Sequence, residues 1–147
     1  MEDLELQLLN LMQDNWKLEN KEQTVFNRNR RRIDTAAVEP HVIFREVADV
    51  NDWTNEDMAD CRAVVSIETR ISVEAVNTDK IEEVKEEKHE VREEIYRILK
   101  AMNRGEIAKP DGWEWAYVTR RLNLDNFDAP TPLLGEEFQI TIAYERV

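Results

Sequence analysis

Thr78–Asn103, TDKIEEVKEEKHEVREEIYRILKAMN, decides the fold. Ile81, Val84, Lys88, Val91, Ile95, Ile98, Leu99 and Met102 recur every three or four residues, and all but Lys88 are apolar. That spacing predicts one α-helix with a single buried stripe. Thr78 or Asp79 supplies an N-cap, with Glu82 three residues after Asp79 as in a capping box. Arg97 and Lys100 place cations in the last turns, where the helix dipole favours them, and Gly105 follows as a stop. A long helix with one apolar stripe needs a flat surface to cover, and the segments on either side, 62–76 and 113–124, read as strands.

CRAVVSIETRISVEA is the clearest of these strands. Ala63, Val65, Ile67, Thr69, Ile71, Val73 and Ala75 alternate with Arg62, Ser66, Glu68, Arg70, Ser72 and Glu74, with Val64 the exception. The alternation runs for about 14 residues, beyond the common five or six. One face is expected to be buried and the other polar along its length, so the strand either reaches out as an arm or pairs with another subunit.

Upstream, residues 2–18 read as a helix with Leu4, Leu8, Leu11 and Met12 on one face, widened by Leu9 and Trp16. The alternative is a terminal arm packed on a neighbouring subunit. Residues 19–33 are polar and read as a loop. They gather Arg28, Arg30, Arg31 and Arg32, which suit a solvated or subunit-contacting loop, or a basic patch for nucleic acid or an acidic partner. HVIFREVAD, from His41 to Asp49, reads as a strand after Pro40. The loop that follows carries Asp52 and Trp53, and Thr54 with Asp57 resembles a cap for one helical turn.

Downstream, Trp113–Leu124 reads as a strand with Trp113, Trp115, Tyr117 and Thr119 on one face. Three aromatics on one face suit a sugar platform or, more commonly, a core facing a helix. A loop with Pro130 and Pro132 leads to the last strand, FQITIAYERV, with Phe138, Ile140, Ile142 and Tyr144 turned inward. The order is α-β-β-α-β-β. It predicts a single α+β domain over residues 1–147: a four-stranded, mainly antiparallel sheet with one long helix across one face and an N-terminal helix.

The chemistry tests fail at named residues. His89-Glu90 begins a zinc-type H-E-x-x-H pattern, but Glu93 stands where the second histidine belongs. A calcium loop counted from Asp49 has Thr54 at the glycine position and Asp60 at the glutamate position. Pro110-Asp111 with Glu114 has Ala116 where a nuclease-like cluster needs lysine. Gly105, Gly112 and Gly135 are the only glycines and form no phosphate loop, and His41 and His89 have no G-x-S-x-G partner. The single cysteine, Cys61, forms no disulfide within the chain. The reading is a non-enzyme without cofactor or metal. A net charge of −12 argues against a general nucleic-acid binder or a binder of anionic membranes. No apolar run reaches the ~20 residues of a membrane span, and the acidic start MEDLELQLL is unlike an export signal.

The amphipathic first helix, VIFREV, AVVSIETRISVEA, the charged helix ending YRILKAMN, and the strands WEWAYVTRRLNL and FQITIAYERV together resemble the tail-terminator and tail-completion proteins of long-tailed phages and related archaeal viruses. The likeness is one of pattern over nearly the whole chain, without a short diagnostic motif, and head-completion and neck proteins share the outline. It implies a virion protein, assembled in the host cytoplasm, that forms a ring, usually of six copies. Such a ring sits on the last ring of tail-tube protein, stops tube growth and docks to the head connector, while DNA passes through without specific binding. A small adaptor binding a peptide or nucleic acid is the alternative from another class.

Surfaces expected to meet partners are Arg28, Arg30, Arg31 and Arg32, the loop with Asp52 and Trp53, the outer face of the long strand (Glu68, Arg70, Glu74), and the loop with Pro130 and Pro132. The central helix adds a further one. Glu82/Glu86, Glu83/Glu87, Glu86/Glu90 and Glu90/Glu94 are like-charge pairs at i,i+4, with Glu93/Arg97 the one favourable pair at that spacing. The acidic face around Glu86 and Glu90 is therefore expected either to meet a basic surface, the Arg28–Arg32 loop of an adjacent copy being the candidate, or to form the particle's exterior.

Overall fold

The computed structural model describes residues 3–18, 25–28, 41–48, 60–72, 78–128 and 133–145. Helix α1 (Leu4–Asn15) is followed by strands β1 (Val25–Arg28), β2 (His41–Ala48) and β3 (Asp60–Ser72). Helix α2 (Thr78–Asn103) crosses to β4 (Trp113–Asn123), and β5 (Leu133–Glu145) closes the chain. The strands form one sheet in the order β1-β2-β3-β5-β4.

β3, β5 and β4 form a consecutive antiparallel trio. β3 and β5 pair without interruption from Asp60↔Glu145 to Ser72↔Leu133. The last strand thus inserts between β3 and β4, which α2 connects. The inward row of β3 (Ala63, Val65, Ile67, Thr69, Ile71) lies opposite that of β5 (Ile142, Ile140, Phe138, Glu136, Leu134), as the two-residue side-chain period requires. β2 adds to the other side of β3 antiparallel, and β1 pairs with β2 in parallel.

The four-stranded expectation is corrected on two points. The sheet has a fifth strand, β1, which falls inside the polar 19–33 segment read as loop. Four residues carry too little periodicity to announce a strand, and β1 is held instead by its neighbours: the edge of Phe26 meets the ring of Trp16 at 5.3 Å, 87° between planes. One long helix across one face is also overturned, because two helices share that face. α1 lies over β1, β2 and β3, and α2 over β3, β4 and β5. Leu8, Leu11, Met12 and Trp16 on the α1 side, and Val91, Ile95, Ile98 and Met102 of α2, join one apolar cluster with Val42, Ile67, Phe138 and Ile140. A smaller cluster, Val84 with Ile71 and Leu134, sits under the start of α2.

Local signals explain both helices. Asp3 caps α1 by accepting from the Glu5 N–H at 2.9 Å. At the end of α2, Gly105 has φ 80°, the Gly105 N–H bonds to Met102 O and the Glu106 N–H to Ala101 O. That paired pattern is a Schellman stop, which favours glycine at its left-handed position. The two helices are fastened end to end as well. Arg97 Nη2 donates to the Asn15 carbonyl at 2.7 Å, satisfying an orphan group of the last turn of α1. Glu94 accepts from the Lys17 N–H and from Arg97. The favourable partner of Arg97 is therefore Glu94 at i,i+3, not Glu93. Glu94, which the sequence places among the crowded carboxylates, is buried.

β4 corrects a second expectation. Trp113 pairs with Tyr144 and Trp115 with Ala143, so β4 carries one extra residue between them. A bulge of this kind switches the facing of the residues that follow, here as far as Val118, where a second irregularity before Arg120 switches it back. Trp113 is buried, its indole N–H donating to Gln7 Oε1 at 2.9 Å. Trp115 and Tyr117 stand on the opposite face, rings 5.4 Å apart, with Tyr117 55% exposed. The aromatics form no single platform.

One close approach makes a testable point, with Gly105 as its contrast. A Cβ on Gly135 would lie 2.4 Å from the Thr69 carbonyl oxygen, so Gly135→Ala is expected to destabilise the protein by about 1–3 kcal/mol in chemical unfolding. The same substitution at Gly105 meets no atom within 4 Å, and its cost there is conformational only.

Candidate functional site

α2 bears a row of side chains that the apolar reading passed over. Lys88, Arg92, Tyr96, Lys100 and Arg104 follow one another at i,i+4 and so lie along one side of the helix. This side faces β4 and the start of β5, and its two halves do different work.

The first half enters an ion cluster. Glu136 sits in the inward row of β5 with 2% of its surface exposed. Arg92 Nε donates to both of its oxygens, at 2.9 and 3.2 Å, and Arg92 Nη2 adds a further bond. Lys88 Nζ lies 3.7 Å from Glu136 and Arg121 Nε 3.6 Å. Lys88 also donates to Asp125 at 2.8 Å and to Asn123 Oδ1 at 3.0 Å. Asp125 in turn accepts from the Gly135 N–H at 3.0 Å. The carboxylates are thereby paired and hydrogen-bonded, which a buried charge requires. The cluster locks the middle of α2 to the β4–β5 connection.

The second half borders a groove of about 420 Å³ lined by Tyr96, Leu99, Lys100, Asn103, Arg104, Tyr117 and Val118. Its β4 side, Tyr117 and Val118, belongs to the outermost strand of the sheet among the described residues. Asn103 fixes the position of that strand: its Nδ2 donates to Ala116 O at 2.8 Å and its Oδ1 accepts from the Ala116 N–H at 3.1 Å. One side chain thus stands where a neighbouring strand would pair, and it blunts the edge at that point. Beyond it the rim is aromatic and cationic. Lys100 and Arg104 are exposed and, among the described residues, make no ion pair. The opposite edge of the sheet, β1, is packed against α1.

The remaining acidic charge of α2 is exposed at Glu82, Glu83, Glu86, Glu90 and Glu93. Glu87 is half-buried beside them. Burial, and then the charges of Glu90 and Glu83, raise its pKa above the ordinary value. Glu94 shows the reverse balance. Burial pushes its pKa up, but the Arg97 hydrogen bond, the Lys17 N–H and the charges of Arg97 and Lys17 bring it below the ordinary value.

Of the residues expected to meet partners, Glu86 and Glu90 lie exposed on α2. Glu68 is buried on the β3 face turned away from the helices and is ion-paired with Arg70. Glu137 of β5 stands opposite Glu68, so Arg70 offsets a like-charge cross-strand pair. Arg28 closes β1. Arg30, Arg31, Arg32, Asp52, Trp53, Glu74, Pro130 and Pro132, and the helical turn expected at Thr54, fall outside the described residues.

Among the described residues, no group of three or more His, Cys, Asp or Glu is arranged to hold a metal ion, and no helix is long and apolar enough to cross a membrane. No protein-family model and no curated protein sequence matches the chain.

Two predictions follow from the ion pairs. Glu136→Leu strands Arg92, while Lys88 keeps Asp125, and is expected to cost about 3 kcal/mol in denaturant unfolding, whereas Glu136→Leu with Arg92→Leu restores much of the loss. Because the folded pKa of Glu94 is depressed, its contribution is present above the ordinary carboxylate value of 4.5 and is lost as pH falls through the folded value. Glu94→Gln is therefore expected to flatten the fall in melting temperature in the acid range below about pH 4.5.

Proposed function

We propose that the protein is a ring-forming structural component of a tailed virus particle, of the tail-terminator kind. Its ring ends the tail tube and joins it to the head connector, and DNA passes through without specific binding. The observation that carries this reading is the α2–β4 groove. It places exposed tyrosines and two cations that make no ion pair among the described residues beside the outermost strand of the sheet, in a chain whose net charge is −12. A surface of that composition suits an acidic protein partner, since tyrosine and arginine are the residues that anchor interfaces. The overall acidity weakens attachment to phosphates, as a channel for sliding DNA requires. The pattern likeness of the whole chain supplies the virion setting, and head-completion or neck protein is the neighbouring role.

The groove also favours a second reading, a small adaptor whose partner is an anionic peptide. Mass separates the two. Light scattering with electron microscopy is expected to show closed rings of several 17.4 kDa chains, alone or with tube protein. A monomer at every concentration that binds acidic peptides in the groove would replace the ring reading with the adaptor.

A further inference from the structure

Glu82, Glu86, Glu93, Lys100 and Arg104 are spaced by four, seven, seven and four residues along α2, and all five are exposed. Such spacing puts them on one stripe of the helix. The stripe is acidic over its first half and basic over its second. The basic half is also the rim of the groove, where Tyr96 and Tyr117 stand exposed. The acidic half lacks compensation: Lys85 approaches Glu82 only at 3.9 Å, and no other ion pair is made by the stripe's carboxylates among the described residues.

Resting on the reading of a self-assembling protein, we infer that the α2–β4 groove receives the acidic first half of α2 from a second copy of this chain. Glu82 and Glu86 of one copy then meet Lys100 and Arg104 of the next, with the exposed ring of Tyr96 covered by the docked helix. Charge complementarity selects this occupant. The groove needs an extended acidic surface, and α2 presents one on every copy. Isolated carboxylates crowded at i,i+4 are mildly unfavourable, and a cationic groove turns the same crowding into attraction. Glu87 lies half-buried at this same end of the helix, its carboxyl held above the ordinary pKa first by burial and then by the charges of Glu90 and Glu83. The adjoining ion cluster keeps the groove rigid, because Arg92 and Lys88 fasten α2 to β5 and the β4–β5 connection.

The test uses two variants of the full chain, Lys100→Glu with Arg104→Glu, and Glu82→Lys with Glu86→Lys. All four positions are exposed, and circular dichroism checks that both variants fold. Each variant alone is expected to lose self-association by about tenfold or more in apparent Kd, and an equimolar mixture is expected to regain it, because the reversed surfaces complement one another. Wild-type mass unchanged by either pair of substitutions would overturn the inference while leaving a ring built through another surface. A wild-type monomer at all concentrations would overturn both. A mass that stops at two chains, and is lost and regained as described, would support the docking and overturn the ring. Uptake of an anionic oligonucleotide by the groove, with no effect of either variant on mass, would also overturn it.

Discussion

The pairing of β3 with β5 is the constraint on which the rest depends. Thirteen residues of each strand run opposite one another without a break. The C-terminal strand is thereby set between two strands that are themselves linked by α2. Three consequences follow. α2 must cross the sheet to reach β4, which presses its apolar stripe onto Ile67, Phe138 and Ile140. β4 is displaced to the edge of the sheet, where it lines the groove. Glu136, in register with Thr69, is carried into the inward row beneath α2. A strand slipped by one residue would turn that entire row to the other face.

Charge, more than apolar area, gives the α2–sheet contact its particular position. Leucine and isoleucine stripes tolerate sliding, because dispersion and burial are not directional. The bonds of Glu136 to Arg92, and of Asp125 to Lys88 and to the Gly135 N–H, are directional. They tie one turn of α2 to one point on β5. Ion pairs of this sort add little net stability over an apolar equivalent, but their loss on one side is costly, so they penalise other alignments. The Glu94–Arg97 contact acts likewise at the junction with α1, linking the C-terminal ends of both helices.

The extent of α2 was legible because 26 residues carry a period and end on a glycine stop. The long strand was legible from its alternation, and its described part runs from Asp60 to Ser72. β1 was not legible: four residues in a polar stretch hold their place through α1 and β2, which local sequence does not report. The bulge in β4 was invisible for a similar reason. Alternation through Trp113, Trp115 and Tyr117 looks uninterrupted, and only the partner strand shows the extra residue. The groove was half legible. The i,i+4 row Lys88, Arg92, Tyr96, Lys100 and Arg104 stands in the sequence, but the carboxylates of α2 outnumber it. Which cations are consumed by Glu136 and Asp125, and which remain unpaired, depends on a strand more than 30 residues away.

A folded chain that neutralises its internal charges yet leaves one exposed helical stripe divided by sign is organised to meet another surface. In this account that surface belongs to a second copy, and the attraction is electrostatic at a solvent-accessible contact, so it weakens when ions screen it. The most direct measurement is sedimentation velocity of the wild-type protein at about 0.05 M and about 0.5 M salt. An assembly at low salt is expected to shift to smaller species at high salt. A sedimentation coefficient that does not change with salt, whether assembled or monomeric, would contradict it.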